Sequence, residues 1–377
     1  MAAPLWIRTP ADLEALVVSL GRARMLSIDT EADGLHHYPV KLCLVQVADD
    51  RGRGHLVDPL ALPTLEPLGQ FFADAGVVKV LHAADNDLGY LKRLYGFSAV
   101  NIFDTAIAAR FLGVTSLSLD GLLRDFIGVD PGPSRQKDDW SKRPLSPAQE
   151  TYALNDVLHL IPLRERLLEA LRAKGRELWV EEECTMIAAH TPAPEKAVDP
   201  DAYMKLKGAK DLDGRGLAVL RELHQARETL AIKADRPPFM ILGNEALVAL
   251  AVLKPRDSNS ILTIKGCTVN VVRRAGEAIL AAVERGLAVP DSDLPVRRAN
   301  PRPRVSGAVQ RRSEVLRAWR VEAAKLVELD AGVIFPQRLI DRLAHDPPRD
   351  LDAFARVEGV GRWRAEIFGA ELLRRLG

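Results

Sequence analysis

Two neighbouring acids in the first part of the sequence have the types and spacing that cation-assisted chemistry needs. Asp29 and Glu31 follow a short apolar run at positions i and i+2, so a strand places both carboxylates on one face. Two like charges about 4 Å apart repel by roughly 1 kcal/mol in water and roughly 4 kcal/mol at an effective dielectric of 20. The pair therefore favours cation binding, with two solvated acids at a strand end as the structural alternative.

Two more acids and a tyrosine lie in predicted helices further along the chain. Asp87 stands near the start of a predicted helix, where we expect Asp85 to provide the cap and negative charge is favourable. Tyr152 and Asp156 lie four residues apart in a helix predicted over 147–172, so they share one face. A phenol beside a carboxylate on a mostly apolar face needs polar partners.

Taken together, the four acids Asp29, Glu31, Asp87 and Asp156 would offer only oxygen ligands. Such a set suits Mg²⁺ or Mn²⁺ rather than zinc or copper. Two such ions can clamp the attacking and leaving oxygens of a phosphodiester displacement, with Tyr152 placed to orient the attacking water. The spacing by itself predicts metal-assisted phosphodiester chemistry.

The elements that must position these residues form a mixed sheet flanked by helices. Short β-branched runs predict four strands, at 25–29, 41–48, 55–58 and 77–82. We expect the first three to be antiparallel neighbours, because their connections leave no room for a helix. Apolar spacings of three and four predict helices over 64–73, 86–95, 104–112 and 147–172. Asp104 is expected to cap the third of these helices rather than to act in catalysis.

The composition excludes several classes of protein. The 377 residues are 47% hydrophobic and 27% charged, which indicates a globular chain of two or three domains. The three cysteines show no disulfide or zinc spacing, and we recognise neither a signal peptide nor an apolar run of about 18 residues. We therefore expect a cytoplasmic protein without a membrane segment.

The second half of the chain is basic and repetitive. Residues 1–192 carry 20 Lys and Arg against 26 Asp and Glu, whereas the remainder carries 32 against 25, which suggests a polyanion partner for the second half. Proline-rich linkers are predicted at 190–203 and 295–305. Six Leu, Pro and Gly positions between them recur at offsets of 92 to 96, so we predict domains over 1–192, 208–290 and 308–377, the last two small and all-helical.

Three motifs resemble those of the DEDD exonucleases, specifically the DEDDy branch: SIDTEAD at 27–33, HAADNDL at 82–88 and YALND at 152–156. Segments 102–113 and 139–149 are similar as well. The resemblance implies an RNase H-like fold, with Asp29, Glu31, Asp87 and Asp156 as ligands of two divalent ions and Tyr152 as the residue that positions water. It also implies stepwise removal of nucleotides from RNA 3′ ends, with tRNA precursors and other small structured RNAs as substrates.

The two helical repeats resemble HRDC domains, which are nucleic-acid-binding modules. The second repeat contains Glu358-Gly359-Val360-Gly361, whose amides can face a phosphate. The first contains Lys265-Gly266-Cys267-Thr268 and lacks the second glycine, which leaves its binding role open.

Five further residues are candidates for substrate binding: His82, Lys137, Trp140, Lys142 and Arg143. His82 is expected to play a supporting role at its strand end. Arg143 either contacts RNA or fixes its loop to an acid, and Trp140 either stacks on a base or anchors that loop. His36 and His37 follow the first acids and are expected to line the substrate path.

Three functions remain open at this stage. The first is a two-metal 3′-to-5′ exoribonuclease, expected to be monomeric. The second is a DNA exonuclease of the same fold, because no residue in the sequence identifies a reader of the 2′-hydroxyl. The third is a binding protein that acts through its repeats and has an inert first domain. Retention of all five functional residues argues against it, because a non-catalytic domain would gain from losing the mutual repulsion of four acids.

Overall fold

The computed structural model describes residues 5–189, 199–297 and 306–376, which fall into two compact units. Unit 1 contains 5–31, 42–189 and 306–376, and unit 2 contains 32–41 and 199–297. The second helical repeat thus shares a unit with the predicted catalytic domain. Most of the two predicted linkers lies outside the described residues, and the three domain boundaries stay a prediction.

Unit 1 is built on a six-stranded mixed sheet in the order β1-β4-β3-β2-β5-β6. Its strands are β1 (Leu5–Ile7), β2 (Met25–Ala32), β3 (Leu42–Asp49), β4 (Gly54–Val57), β5 (Val78–Leu81) and β6 (Ile102–Asp104). β3 and β4 pair antiparallel, β1 is parallel to β4, and β5 is parallel to both β2 and β6. β2, β3 and β4 are consecutive in the sheet, as predicted. β1 and β6 were not predicted, because three residues are too few for an alternating pattern.

Eight helices accompany this sheet among the residues described up to Ala189. They are α1 (Pro10–Leu20), α2 (Gly69–Ala73), α3 (Asp85–Tyr95), α4 (Thr105–Phe111), α5 (Leu119–Ile127), α6 (Pro147–Leu158), α7 (Leu160–Ala173) and α8 (Glu177–Ala189). The single helix predicted over 147–172 is wrong, because the chain turns at His159. Pro162 has no amide hydrogen for the Leu158 carbonyl, so the apolar spacing continues while the helix does not.

Helix α6, which carries Tyr152 and Asp156, is fixed by its cap and by a glycine. The Ser146 hydroxyl and the Gln149 side chain form a reciprocal capping box at its start. The helix packs on β3 and β4. A Cβ atom at Gly54 would lie 2.8 Å from Leu154 Cδ2, so any larger residue there would require the Leu154 side chain to shift.

Both helical repeats contain five helices in the same order. The first repeat, in unit 2, comprises α9 (Gly214–Ala234), α10 (Pro238–Ile241), α11 (Asn244–Leu253), α12 (Ser258–Leu262) and α13 (Val269–Ala288). The second, in unit 1, comprises α14 (Gly307–Leu326), α15 (Ala331–Ile334), α16 (Gln337–His345), α17 (Leu351–Ala355) and α18 (Gly361–Leu376). Among the described residues, no helix combines the length and apolar character that crossing a membrane requires.

Candidate active site

Three of the predicted acids meet at the end of β2. One carboxylate oxygen from each of Asp29, Glu31 and Asp156 lies within 4.8 Å of the other two. Asp29 and Glu31 come from β2 two residues apart, and Asp156 comes from α6, which packs beside the sheet. Strand alternation and helix packing therefore combine to form one group of carboxylates.

Asp87 approaches the same strand through a different residue and is not part of that group of three. It is 7% exposed, and its Oδ1 accepts a hydrogen bond of 2.5 Å from the Thr30 hydroxyl. Thr30 stands between Asp29 and Glu31, so the hydroxyl fixes Asp87 beside the strand that carries both acids. The sequence motif contained Thr30, but a threonine in a strand gives no signal of such a role.

The helix that carries Asp87 is positioned by a residue from another strand. The expected cap by Asp85 is wrong, because α3 begins at Asp85 and the N-cap position belongs to Ala84. Asp104 supplies the acceptor, receiving the Ala83 and Ala84 amides at 3.1 and 2.8 Å. The same carboxylate caps α4, as predicted, through two amides of its first turn. Asp104 thus fixes the starts of two helices at once.

Burial raises the pKa of each acid in the site, and the charge of another site acid raises it further for Asp29, Glu31 and Asp87. Burial first, and then the charge of Asp156, raises the pKa of Asp29 to about 7. Burial followed by the charge of Asp29 raises the pKa of Glu31 to about 10 and that of Asp87 well above its usual value. Burial also raises the pKa of Asp156 to about 7, against the opposing effect of a hydrogen bond from Tyr152.

These acids have the donor set of a divalent-cation site. Every donor is a carboxylate oxygen, which matches hard cations such as Mg²⁺ and Mn²⁺. Burial and repulsion both disfavour the ionised carboxylates, and a bound cation would offset both. The residues that the structure brings together therefore fit a divalent metal.

Tyr152 lies four residues before Asp156 on α6, so the two side chains share the helix face beside this group. Burial, followed by the charges of Asp156 and Glu31, raises the pKa of Tyr152, and a hydrogen bond with Ser134 opposes this only in part. The phenol therefore keeps its proton at neutral pH. Ser134 was not singled out in the sequence, because it lies in an irregular loop without periodicity.

The loop before α6 is anchored by two of the substrate-binding candidates. Trp140 is fully buried, with its ring centroid 6.1 Å from that of Tyr152. Arg143 donates to both carboxylate oxygens of Asp58, at 2.7 and 2.8 Å, and to the Cys43 carbonyl at 2.6 Å. These contacts support the alternatives in which Trp140 anchors its loop and Arg143 ties the loop to an acid.

The remaining candidates have differing surroundings. Lys137 and Lys142 are exposed, and Lys142 Nζ lies 3.5 Å from Asp139 Oδ2. His82 Nδ1 lies 2.9 Å from Thr105 Oγ1, and burial lowers the pKa of His82. A contact with RNA stays a prediction for all three.

His36 and His37 belong to the 32–41 segment of unit 2. His37 Nδ1 lies 2.7 Å from Asp235 Oδ2 on the first repeat. The neighbouring Tyr38 hydroxyl donates to Glu228 at 2.7 Å. A place for the two histidines on the substrate path also stays a prediction.

The Arg143 contacts give a stability prediction. Arg143→Ala removes both guanidinium hydrogen bonds to the buried Asp58 carboxylate and leaves only Arg8, whose Nε lies 3.9 Å away. We expect the free energy of unfolding to fall by roughly 3 kcal/mol. Urea denaturation measures this change. Lys142→Ala, whose side chain is 76% exposed, is the control and should change stability by less than about 0.5 kcal/mol. Unchanged stability with weakened RNA binding in Arg143→Ala would instead assign the guanidinium to the substrate.

The chain is similar to known proteins along nearly its whole length. Residues 4–172 match the family described as 3′-5′ exonuclease, and residues 216–283 and 309–376 each match the HRDC domain. Ribonuclease D of Jannaschia sp. is 34% identical over 99% of this chain and 95% of its own, and that of Gluconacetobacter diazotrophicus is 33% identical over 98% and 92%.

The fold also matches a solved structure of the same name. The crystal structure of RNase D from Escherichia coli, an exoribonuclease involved in structured RNA processing, matches 99% of this chain and 98% of its own at 24% identity, with a TM-score of 0.70. With the exonuclease motifs and both HRDC repeats in place, the chain belongs to the ribonuclease D family and is a 3′-5′ exoribonuclease.

Proposed function

We propose that the protein trims tRNA precursors and other small structured RNAs from their 3′ ends, using two Mg²⁺ or Mn²⁺ ions. The observation that carries this proposal is the group of Asp29, Glu31 and Asp156 oxygens within 4.8 Å, with Tyr152 one helical turn before Asp156 on α6. The structured RNA substrates named for the Escherichia coli protein support the same substrate class here.

In this mechanism the side chains of the chain hold and orient the reacting groups. Asp29, Glu31 and Asp156, with Asp87 beside them, would hold the cations. Bound divalent cations supply charge neutralisation at the scissile phosphate and lower the pKa of the attacking water. Because Tyr152 keeps its proton, its hydroxyl acts as a hydrogen-bonding group that orients water and not as the base.

We also propose a cellular compartment and an oligomeric state for the enzyme. No disulfide joins the three cysteines, all of which are buried, and this supports a reducing compartment such as the cytoplasm. We propose that the protein acts there as a monomer on RNA. Size-exclusion chromatography with light scattering tests the oligomeric state.

A time course on labelled polymers tests the function. Purified protein is incubated with a 5′-labelled single-stranded RNA or its DNA counterpart, with Mg²⁺, Mn²⁺ or EDTA, beside Asp29→Asn. We expect a ladder that shortens from the 3′ end of RNA and disappears with EDTA and in the variant. Preferential cleavage of DNA would favour the DNA exonuclease. Tight binding without cleavage of either polymer would leave a binding protein.

A further inference from the structure

The start of α18 in the second repeat contacts two acidic side chains of α8. The Trp363 amide donates to Glu182 Oε2 over 3.2 Å. The Arg364 guanidinium, 1% exposed, donates to Glu183. The unpaired amides at a helix start attract anions, and here the anions come from the catalytic domain of the same chain.

Aromatic rings of the second repeat and of the catalytic domain also pack together within unit 1. The rings of Trp179 and Trp363 stack with centroids 4.5 Å apart and an interplanar angle of 13°, and Phe111 packs edge-on against Trp363 at 5.5 Å. Arg176 connects the two parts as well, donating to the Phe111 carbonyl at 2.8 Å and to the Val327 carbonyl at 2.5 Å. The second repeat is therefore joined to the catalytic domain through a buried interface.

The two repeats can be compared position by position at this point. Asp257 caps α12 and Asp350 caps α17, and each is followed nine residues later by a glycine with positive φ. These glycines are Gly266 at φ +92° and Gly359 at φ +87°. The helical hairpin formed by α12 and α13, the first hairpin, is therefore equivalent to the one formed by α17 and α18, the second hairpin.

The helix caps of the two hairpins differ. In the first repeat the Thr268 hydroxyl accepts the Val271 amide and caps α13. The equivalent residue in the second repeat is Gly361, which has no side chain to offer. A Cβ atom there would lie 2.6 Å from Glu182 Oε2. Glu182 thus occupies the space of the missing cap and accepts an amide of the same first turn.

The charges at equivalent positions differ in the same sense. Two basic residues of the first repeat are replaced by acids in the second, with Glu358 in place of Lys265 and Glu366 in place of Arg273. The docking residues Trp363 and Arg364 replace Asn270 and Val271. In the opposite sense, the exposed Arg362 replaces Val269. The second hairpin therefore has the side chains of a protein interface, and two of the cations of the first hairpin are acids in it.

We propose that Glu182 and Glu183 occupy the anion-binding hairpin of the second repeat in place of an RNA phosphate. The acidic α8 helix is the partner of that hairpin, and the second repeat serves to cover the catalytic domain. RNA does not bind through Gly359–Gly361, although its two glycines suggest a phosphate site in the sequence. The docking is independent of the proposed function, whereas the statement about RNA rests on it.

The docking is tested in the full chain by combining Glu182→Ala with Glu183→Ala. We expect the amides of residues 361–364 to exchange hydrogen about tenfold faster or more, and Tm to fall by roughly 2–6 °C. Glu181→Ala, an exposed acid on the same helix, is the matched control and should change neither quantity. Exchange and Tm equal to those of the wild type in the double variant would overturn the docking.

The RNA statement is tested by charge reversal in each hairpin, with Kd measured on single-stranded RNA in EDTA. Arg362 lies on α18 of the second hairpin, and its side chain is 81% exposed. Lys265 is exposed in the first hairpin, in the turn before α13. We expect Arg362→Glu to change Kd by less than about twofold and Lys265→Glu to weaken binding by about three- to tenfold. Equal losses in both variants would overturn the proposal. A wild-type chain that binds no RNA would contradict the proposed function, and the exchange result would still decide the docking.

Discussion

Asp156→Asn is expected to reduce cleavage of RNA by at least about 10³-fold while leaving the fold intact. Asp156 is 4% exposed and contributes one of the three clustered oxygens, so its loss removes a proposed cation ligand worth several kcal/mol of transition-state stabilisation. Asparagine has nearly the same shape, so the packing of α6 is preserved. Initial rates on a 5′-labelled RNA measure the effect at saturating Mg²⁺.

The same substitution has a second expected effect, in the absence of metal. Because Asp156 raises the pKa of Asp29 through its charge, removing that charge relieves repulsion in the metal-free protein. We expect Tm in EDTA to be equal to or higher than that of the wild type. Asp85→Asn, an exposed acid two residues from Asp87, is the control and should keep full activity. A clear loss of Tm in EDTA for Asp156→Asn would make the residue structural.

Tyr152→Phe is expected to slow turnover by about 10²- to 10⁴-fold without weakening metal binding. The ring remains packed beside Trp140, and only the hydroxyl is lost. Because we propose that the hydroxyl orients water, kcat should fall while KM for RNA and the Mn²⁺ binding isotherm stay close to wild type. Single-turnover kinetics and calorimetric titration with Mn²⁺ measure the two quantities separately.

A second tyrosine provides the control for this experiment. Tyr95 is partly buried, and its ring centroid lies 5.7 Å from that of Phe97. Tyr95→Phe removes a hydroxyl from the same domain and should leave kcat unchanged. Wild-type kcat in Tyr152→Phe would exclude the hydroxyl from the reaction. A lost Mn²⁺ isotherm would instead show that Tyr152 supports the carboxylates.

The sequence predicted the parts of the site that depend on local spacing. Asp29 and Glu31 alternate along a strand, and Tyr152 and Asp156 share a helix face, and both relations follow from backbone periodicity alone. The repeats were also recognisable, because six positions recur at nearly one offset. These features need no knowledge of which strand lies beside which.

Features that depend on residues distant in sequence were not predictable from one chain. Asp104 fixes the turn before α3 from a different strand, and this displaced the expected cap at Asp85. Glu182 substitutes for a cap in a repeat far along the chain. The break at His159 was missed for a different reason, since hydrophobic periodicity continues through Pro162 while the backbone hydrogen bond does not.

The joining of the second repeat to the catalytic domain affects how the protein is made. Glu182 and the Trp363 amide are 181 positions apart, and the whole first repeat is synthesised between them. Unit 2 can complete its helices on the ribosome, because domains generally fold as units in order of synthesis. The apolar faces of Trp179 and Phe111 must wait for α18 before they are covered. A nascent or truncated chain that ends before Gly361 therefore exposes these rings, which makes it a target for chaperones and prone to aggregation.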